Sequence, residues 1–190
     1  MAEASPKLKS KWKKKMRQPL PKWHTYQGNT NDCGPFCATI VANTLGDAPL
    51  VDAPMLARAM EKPAPGLGRL LPSRIKGWAT FPWGVARVLR SLGFRARWRP
   101  LASIKRLEDN LDKEIISIVI VGNPLHFANR KWHGWSHYKV LYASSSEQGW
   151  AFVDPAATTS EVFSYQDAKS FKREWTQMGR NLIEVWKDEV

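Results

Sequence analysis

The chain has 190 residues, of which 43% are hydrophobic and 24% are charged. This composition supports one packed core and leaves too little chain for two large domains. The 29 Lys and Arg residues outnumber 17 Asp and Glu, for a formal net charge of +12. No run approaches the ~18 apolar residues of a membrane span, and no apolar signal core follows the basic start. We therefore expect a cytoplasmic protein with no transmembrane segment and no secretory leader.

The first 22 residues are strongly basic, with eight Lys and Arg against one acidic residue, Glu3. Because few apolar side chains lie among these cations, the segment has little surface to bury. We predict a flexible basic arm over residues 1–22 and one folded domain over residues 23–190. The arm either solubilises the protein or contacts an anionic surface such as nucleic acid or lipid. Alternatively, Trp12 and Trp23 dock on the domain, so that the arm straps across it.

Apolar residues recur at three- and four-residue spacing in the first half of the chain, which predicts helices. The predicted helices run from a cap at Asn31 or Asp32 to Gly46, from a cap at Asp52 through Met60, over residues 85–92 and over residues 101–111. Between the second and third helices, residues 63–77 are rich in Pro and Gly and predict a loop.

The second half of the chain contains β-branched and alternating runs that are typical of strands. The predicted strands cover residues 115–121, 137–143, 149–154 and 182–186. A polar loop over residues 144–147 suits an antiparallel hairpin between the second and third of these strands. Ser164 and Asp167 have the spacing of a capping box, which predicts a helix through about Gln177. Helices followed by an antiparallel sheet indicate an α+β fold.

Cys33 lies at the predicted start of the first helix. Unpaired backbone N–H groups and the helix dipole favour the thiolate there, which makes Cys33 a candidate nucleophile. Gln27 lies just upstream, and its side-chain N–H could reach the same oxyanion as the backbone amide of Cys33. Cys37 lies one turn further on, and we interpret it as a core residue. Its spacing from Cys33 suits a disulfide poorly, so we expect both thiols to be reduced.

A base and a group that orients it are predicted on the strands. His137 opens one predicted strand and Asp154 ends the next, so antiparallel pairing brings them to one end of a hairpin. The imidazole could then take the thiol proton while the carboxylate fixes its tautomer.

These segments occur in an order that resembles a known family. The segments that carry the resemblance are Gln27, Asp32-Cys-Gly-Pro35, His137-Tyr-Lys-Val-Leu141 and Val153-Asp-Pro155. They resemble the papain-like cysteine peptidases related to the bacteriocin-processing, double-glycine leader peptidases. The resemblance runs from about Gln27 to the C-terminus.

The resemblance implies a papain-like α+β fold, with the nucleophile at a helix N-terminus and His and Asp on a C-terminal antiparallel sheet. It implies Gln27 as the oxyanion residue, Cys33 as the nucleophile, His137 as the base and Asp154 as the orienting acid. The implied activity is hydrolysis of peptide amide bonds through a thioacyl-enzyme, without a cofactor, on a peptide or protein substrate.

Aromatic residues near the predicted site are assigned to two groups. Trp132 and Trp135, in a predicted Gly-containing loop beside His137, are candidates for a substrate-binding wall. Trp78, Phe81, Trp83 and Trp98 are interpreted as core residues. The basic character of the domain suggests a substrate with acidic groups.

Other functions use the same residues. The same nucleophile and base would serve an acyl- or aminoacyl-transferase, and the fold would also suit a binding module. Cys33-x3-Cys37 and His133-x3-His137 have ligand types and spacings compatible with structural zinc. The zinc arrangement leaves Gln27 and Asp154 without a role, so we expect no metal.

Overall fold

The computed structural model of the protein describes residues 12–62, 72–128, 131–158 and 160–188. Its helices are α1 Cys33–Gly46, α2 Ala53–Glu61, α3 Pro82–Ser91, α4 Ile104–Asp112 and α5 Ala168–Gln177, with a short 3₁₀ helix at Leu20–Trp23. Its strands are β1 Lys14–Lys15, β2 Arg74–Ile75, β3 Ala79–Thr80, β4 Arg95–Arg99, β5 Ile116–Ala128, β6 Lys131–Ser145, β7 Gly149–Val153, β8 Phe163–Gln166 and β9 Leu182–Trp186.

An antiparallel sheet organises the fold. Its strand order is β4-β9-β5-β6-β7-β8, and β1 adds to β6. Successive residues of β5 from Ile116 to Val121 are all buried, so both faces of the central sheet are covered. The helices supply this cover: α1 contacts β6, α3 contacts β4, and α5 contacts β5 and β7. The predicted α+β class is confirmed.

Helix α1 is the most buried helix of the fold, with each residue from Cys33 to Thr44 buried. The predicted limits of this helix are confirmed. Asp32 occupies the N-cap position, but its carboxylate pairs with Arg74 and makes no capping hydrogen bond. At the other end, Asp47 adopts a left-handed conformation with φ 46° and closes the helix.

The other predicted helices are also present. The Asp52 side chain accepts a hydrogen bond from the Met55 backbone N–H at 3.0 Å, as expected of an N-cap. Helix α4 starts later than predicted, after a Ser103 cap, because Leu101 has a left-handed φ of 56° and is 68% exposed. Among the described helices, none is long and apolar enough to cross a membrane.

Three parts of the sheet region differ from the sequence prediction. A small hairpin, β2–β3, occupies part of the predicted loop over residues 63–77; residues 63–71 lie outside the described residues. Strand β4 was not predicted, although Phe94, Ala96 and Trp98 alternate with arginines there; it pairs with β9. The strand predicted over residues 137–143 is longer, since β6 runs from Lys131 to Ser145.

The predicted capping box at Ser164 is wrong. Ser164 lies on β8 and is paired with Phe152 of β7. Asp167 is the N-cap of α5, and its side chain accepts a hydrogen bond from the Ser170 backbone N–H at 2.9 Å. The strand forms because Phe163 is buried on one face of the sheet, which outweighs the local capping pattern.

Residues 12–22 are packed on the domain. Lys14 and Lys15 pair with Ser144 and Ala143 of β6. Met16 is 1% exposed and Leu20 is 0% exposed. The flexible arm predicted over residues 1–22 is therefore wrong for residues 12–22, while residues 1–11 lie outside the described residues. The high average charge of the segment gave no indication that Met16 and Leu20 are buried or that β1 forms. We call residues 12–22 the strap.

Candidate active site

A cavity of about 440 Å³ opens where the start of α1 meets β6 and the β2–β3 hairpin. The described residues that line it are Gln27, Thr30, Asn31, Cys33, Trp78, Ala79, Thr80, Asn123, Pro124, Gly134, Trp135, Ser136, His137, Tyr138 and Met178. None of these lining residues is Lys, Arg, Asp or Glu. The cleft therefore combines neutral polar groups, exposed aromatic rings, a thiol and an imidazole.

Cys33 is the first residue of α1, and its thiol is free. The loop before it is fixed by the ion pair of Asp32 with the buried Arg74, and by an Asn31 side-chain hydrogen bond to the Gly77 carbonyl at 3.0 Å. Gly34 packs directly on β3, where an added Cβ would lie 2.7 Å from the Thr80 Cγ2 atom. The first turn of α1 thus approaches the hairpin as closely as glycine allows.

His137 and Asp154 are brought together by the pairing of β6 with β7. Nε2 of His137 lies 2.6 Å from Oδ1 of Asp154. Cys33 lines the same cavity as His137 and lies close enough to raise the imidazole pKa, and the carboxylate on Nε2 leaves Nδ1 as the ring nitrogen for the thiol. The predicted nucleophile, base and orienting acid therefore lie in one row.

The electrostatics of this row favour separated charges. Burial opposes protonation of His137, but the hydrogen bond with Asp154 and the nearby Cys33 side chain outweigh it and raise the imidazole pKa to about 9. Burial alone would raise the pKa of Asp154, yet the hydrogen bond with His137 and the charges of His137 and Lys139 hold it well below its ordinary value. At neutral pH the arrangement therefore favours an imidazolium beside a carboxylate.

The carboxylate of Asp154 has further partners. Its Oδ1 also accepts a hydrogen bond from the Ala156 backbone N–H at 2.9 Å. Its Oδ2 lies 3.3 Å from Nζ of Lys139. Sequence reasoning missed Lys139, although its position two residues after His137 on a strand places both side chains on one face.

Gln27 lies on the wall of the same cavity as Cys33. Its backbone N–H donates to the Pro155 carbonyl at 2.8 Å, and its Nε2 donates to the Thr30 carbonyl at 2.9 Å. The ring of His24 also contacts the Asp154 carbonyl oxygen at 2.8 Å. Residues 24–27 therefore run beside Asp154 and Pro155, which couples the position of Gln27 to that of the acid.

Two exposed tryptophans flank the cleft. Trp135 is 51% exposed and lines the cavity, but it lies on β6, so the loop predicted there is wrong. Trp78 is 62% exposed on the turn between β2 and β3, so its predicted place in the core is wrong. A short hairpin turn projects into solvent and offers no core to bury its side chain. The expectation for Trp132 concerns a side chain outside the described part of the structure.

The residues of the zinc alternative are not grouped. Cys37 is fully buried, and burial raises its thiol pKa well above the ordinary value. His133 is exposed, with its ring stacked on His126 at 5.7 Å. Within the described ranges, no three His, Cys, Asp or Glu side chains are placed to hold a metal ion.

Comparison by sequence finds no relatives: no family model matches the chain, and neither does any curated protein. Comparison by structure does find similar folds. One is a chain from Bacillus anthracis described as a C39-like peptidase, with a TM-score of 0.67 and 17% identity over 93% of this chain and 99% of that one. Another is a double glycine motif protease from an AMS/PCAT transporter in complex with the leader peptide, with a TM-score of 0.55 and 15% identity over 91% of this chain and 94% of that one.

These likenesses define the class of fold. The chain has the papain-like α+β fold of the C39-like peptidases over most of its length. The resemblance predicted from the sequence motifs is therefore confirmed at the level of the fold.

Proposed function

We propose that this protein is a papain-like cysteine peptidase that hydrolyses peptide amide bonds. The observation that carries the proposal is the row formed by Cys33, His137 and Asp154, with 2.6 Å between His137 Nε2 and Asp154 Oδ1. The fold adds support, because both solved structures compared above are described as peptidases. In this assignment Cys33 is the nucleophile, His137 the general base and acid, and Asp154 the orienting acid.

The reaction follows from these positions. With the thiol proton already held by His137 as an imidazolium, Sγ of Cys33 attacks the carbonyl carbon of the peptide to form a tetrahedral oxyanion. Collapse breaks the C–N bond, and the imidazolium gives its proton to the leaving amine. Water then attacks the thioacyl group, its proton passes through the imidazole to the departing thiol, and the carboxylic acid is released. Asp154 stays ionised throughout and stabilises the imidazolium.

The oxyanion is assigned to two N–H donors. The backbone N–H of Cys33 lies at the start of α1, where N–H groups have no partner within the helix. The second donor is Nε2 of Gln27, which now donates to the Thr30 carbonyl on an exposed surface. When Nε2 of Gln27 donates to the oxyanion instead of the Thr30 carbonyl, its acceptor is charged and no longer neutral. The new hydrogen bond is therefore stronger.

The lining of the cleft suggests the class of peptide. The double glycine motif protease was solved with a leader peptide bound, and we propose a peptide substrate for this chain as well. The described lining carries no cation apart from the His137 imidazole, so it gives no support to an acidic substrate. Trp78 and Trp135 instead present exposed aromatic surface, which favours uncharged, apolar side chains.

The test is covalent labelling with an electrophilic peptide-mimic probe, followed by mass spectrometry of the labelled site. We expect one equivalent of probe on Cys33 in the full chain, none in Cys33→Ala, and normal labelling in the matched control Cys37→Ala. Cleavage of an uncharged peptide library should depend on Cys33 as well. An added amine acceptor would distinguish hydrolysis from transfer. Labelling on Cys37, or cleavage that persists in Cys33→Ala, would overturn the proposal.

A further inference from the structure

Lys139 is a second cation on the acid of the site, and the mechanism above does not use it. Its Nζ lies 3.3 Å from Oδ2 of Asp154, while His137 occupies Oδ1 at 2.6 Å. The Lys139 side chain is only 12% exposed, and its ammonium lies over the Phe152 ring at 5.6 Å from the centroid. The two carboxylate oxygens are thus divided between two cationic partners.

The strand geometry makes this placement specific. The side chains of His137 and Lys139 lie on one face of β6, and that of Tyr138 lies on the other. The Tyr138 hydroxyl donates to the Thr80 carbonyl at 2.8 Å. Phe152, under the lysine, is fully buried on β7. Placing an ammonium on such a surface is costly unless a carboxylate partner compensates it. Lys139 and Asp154 therefore hold each other in position.

We propose that Lys139 is a positioning residue: it anchors Oδ2 of Asp154 so that Oδ1 faces His137, and it limits how strongly the carboxylate retains the proton on that imidazole. The catalytic part of this inference rests on the proposed peptidase function. A carboxylate shared with an ammonium attracts the imidazolium less strongly than one that has the imidazolium alone. Proton transfer from His137 to the leaving amine is then easier.

The other titratable groups around this pair are few. Helix α1 contributes Cys33, which lines the same cavity as His137, and Cys37, whose pKa is raised by burial. The segment before α1 contributes His24, whose pKa is lowered by burial despite its hydrogen bond to the Asp154 carbonyl. Around neutral pH Cys37 and His24 are therefore uncharged. Of these described neighbours, Lys139 is the one with a positive charge that disfavours the His137 imidazolium.

The experiment compares Lys139→Met, which keeps an unbranched side chain but removes the ammonium group, with Lys139→Arg, which keeps the charge. Lys105→Met is the matched control, because it removes a Lys–Asp pair, Lys105–Asp109 at 2.8 Å, from the exposed surface of α4. The measurement is kcat/KM for an uncharged fluorogenic peptide from about pH 6 to about pH 10, where the alkaline limb reports the imidazolium.

We expect Lys139→Met to lower the plateau of kcat/KM roughly tenfold and to move the alkaline midpoint up by about half to one pH unit. Lys139→Arg should retain the wild-type midpoint, and Lys105→Met should change neither quantity. A lower plateau with an unchanged midpoint in Lys139→Met would overturn the proposal, because a loss of packing alone lowers the rate without moving the midpoint.

A second measurement keeps this inference separate from the peptidase assignment. NMR titration of the His137 imidazole, assigned with His137→Asn, follows the same proton without any turnover. An inactive wild-type enzyme would overturn the proposed function, while an upward shift of the imidazole midpoint in Lys139→Met would still support the role of Lys139. If Lys139→Met does not fold, Lys139→Gln replaces it, and an unshifted midpoint in the folded variant overturns the inference.

Discussion

Asp154 directly follows strand β7, and Glu184 lies on β9 of the same sheet; both carboxylates are buried, and each contacts two cationic side chains. Asp154 lies 2.6 Å from an imidazole nitrogen of His137 and 3.3 Å from the ammonium of Lys139. Its partner His137 faces the cleft together with Cys33. This carboxylate is therefore connected to a group that exchanges protons and to a thiol.

Glu184 lies on β9, with a side chain that is 1% exposed. Arg99 of β4 contacts it at 2.5 Å, and Arg106 of α4 forms a second ion pair with it. The Asn110 side chain donates to it at 3.2 Å and to Ser117 at 3.0 Å. This network joins β4, β9, β5 and α4, and Glu184 does not line the cleft.

The difference between the two carboxylates lies in their partners and their access. Guanidinium groups keep their protons, so the network at Glu184 can only hold elements together. An imidazole exchanges its proton near neutral pH, so the same kind of pairing at Asp154 can support catalysis. Changes at the first site should therefore alter activity, and changes at the second should alter stability.

The largest expected effect is loss of activity in Cys33→Ala. Without the nucleophile, peptide cleavage should fall by at least about a thousandfold, while the free energy of unfolding should change by less than about 1 kcal/mol. Activity assays and denaturant unfolding measure the two quantities. The control Cys37→Ala should lose some stability and little turnover, since Cys37 is buried in the core. Equal losses of activity in both variants would contradict this division.

Gln27→Ala is expected to lower turnover by about a hundredfold, the usual effect of removing one oxyanion donor. Labelling of Cys33 should persist, because it depends on the thiol and the cleft more than on the oxyanion. Thr30→Ala removes the hydrogen bond from Thr30 Oγ1 to the Gln27 carbonyl at 2.9 Å but keeps the Gln27 amide, so it separates loss of the donor from a change in the loop. Normal turnover in Gln27→Ala would remove Gln27 from the site.

Glu184→Gln should instead destabilise the fold by about 2 kcal/mol with little change in activity per folded molecule. Breaking a buried ion pair costs about 3–5 kcal/mol, and the effect is smaller here because Arg99 and Arg106 are 36% and 35% exposed. Asp188→Asn, which breaks the exposed pair with Arg95, should cost less than about 0.5 kcal/mol. If both substitutions changed the free energy of unfolding equally, the buried network at Glu184 would stabilise the fold no more than an exposed ion pair does.

The difference in free energy of unfolding between wild type and Glu184→Gln should also depend on pH. Burial favours the neutral form, but hydrogen bonds from Arg106, Arg99 and Asn110 outweigh it and lower the pKa of Glu184 below 4.5. A depressed carboxyl pKa stabilises the fold above the unfolded value, and this contribution is lost as pH falls through the lower folded value. The gap between wild type and Glu184→Gln should therefore narrow below about pH 4.5, as measured by urea unfolding. A gap independent of pH would contradict the assigned charge.

The smallest expected effect is on substrate binding. Trp135→Ala should raise KM for an uncharged peptide by roughly five- to tenfold and change kcat little, because the ring offers binding surface away from the reacting bond. Trp98→Ala is the control, since Nε1 of Trp98 donates a hydrogen bond to Oδ1 of Asn181 and the ring does not line the cleft. Steady-state kinetics on both variants checks this expectation, and an equal effect of the two would indicate a general loss of packing.

The sequence by itself determined the elements that carry the candidate site. Helix α1 starts at Cys33, the strand with His137 precedes the strand that ends before Asp154, and these limits follow from apolar periodicity and turn residues. Such signals come from neighbours within a few positions along the chain, so they are readable without the fold. The order of the three residues also carried the resemblance, which the fold confirms.

Only the tertiary structure decided the rest. Met16 and Leu20 of the strap are buried in the core of the domain, which the charged composition of the segment did not indicate. Ser164 became part of a strand because β7 was available to pair with it. Lys139 lies beside Asp154 because β6 and β7 pair in one of the registers that the sequence allows. Each of these outcomes depends on contacts between residues far apart in the chain, and local patterns do not specify such contacts.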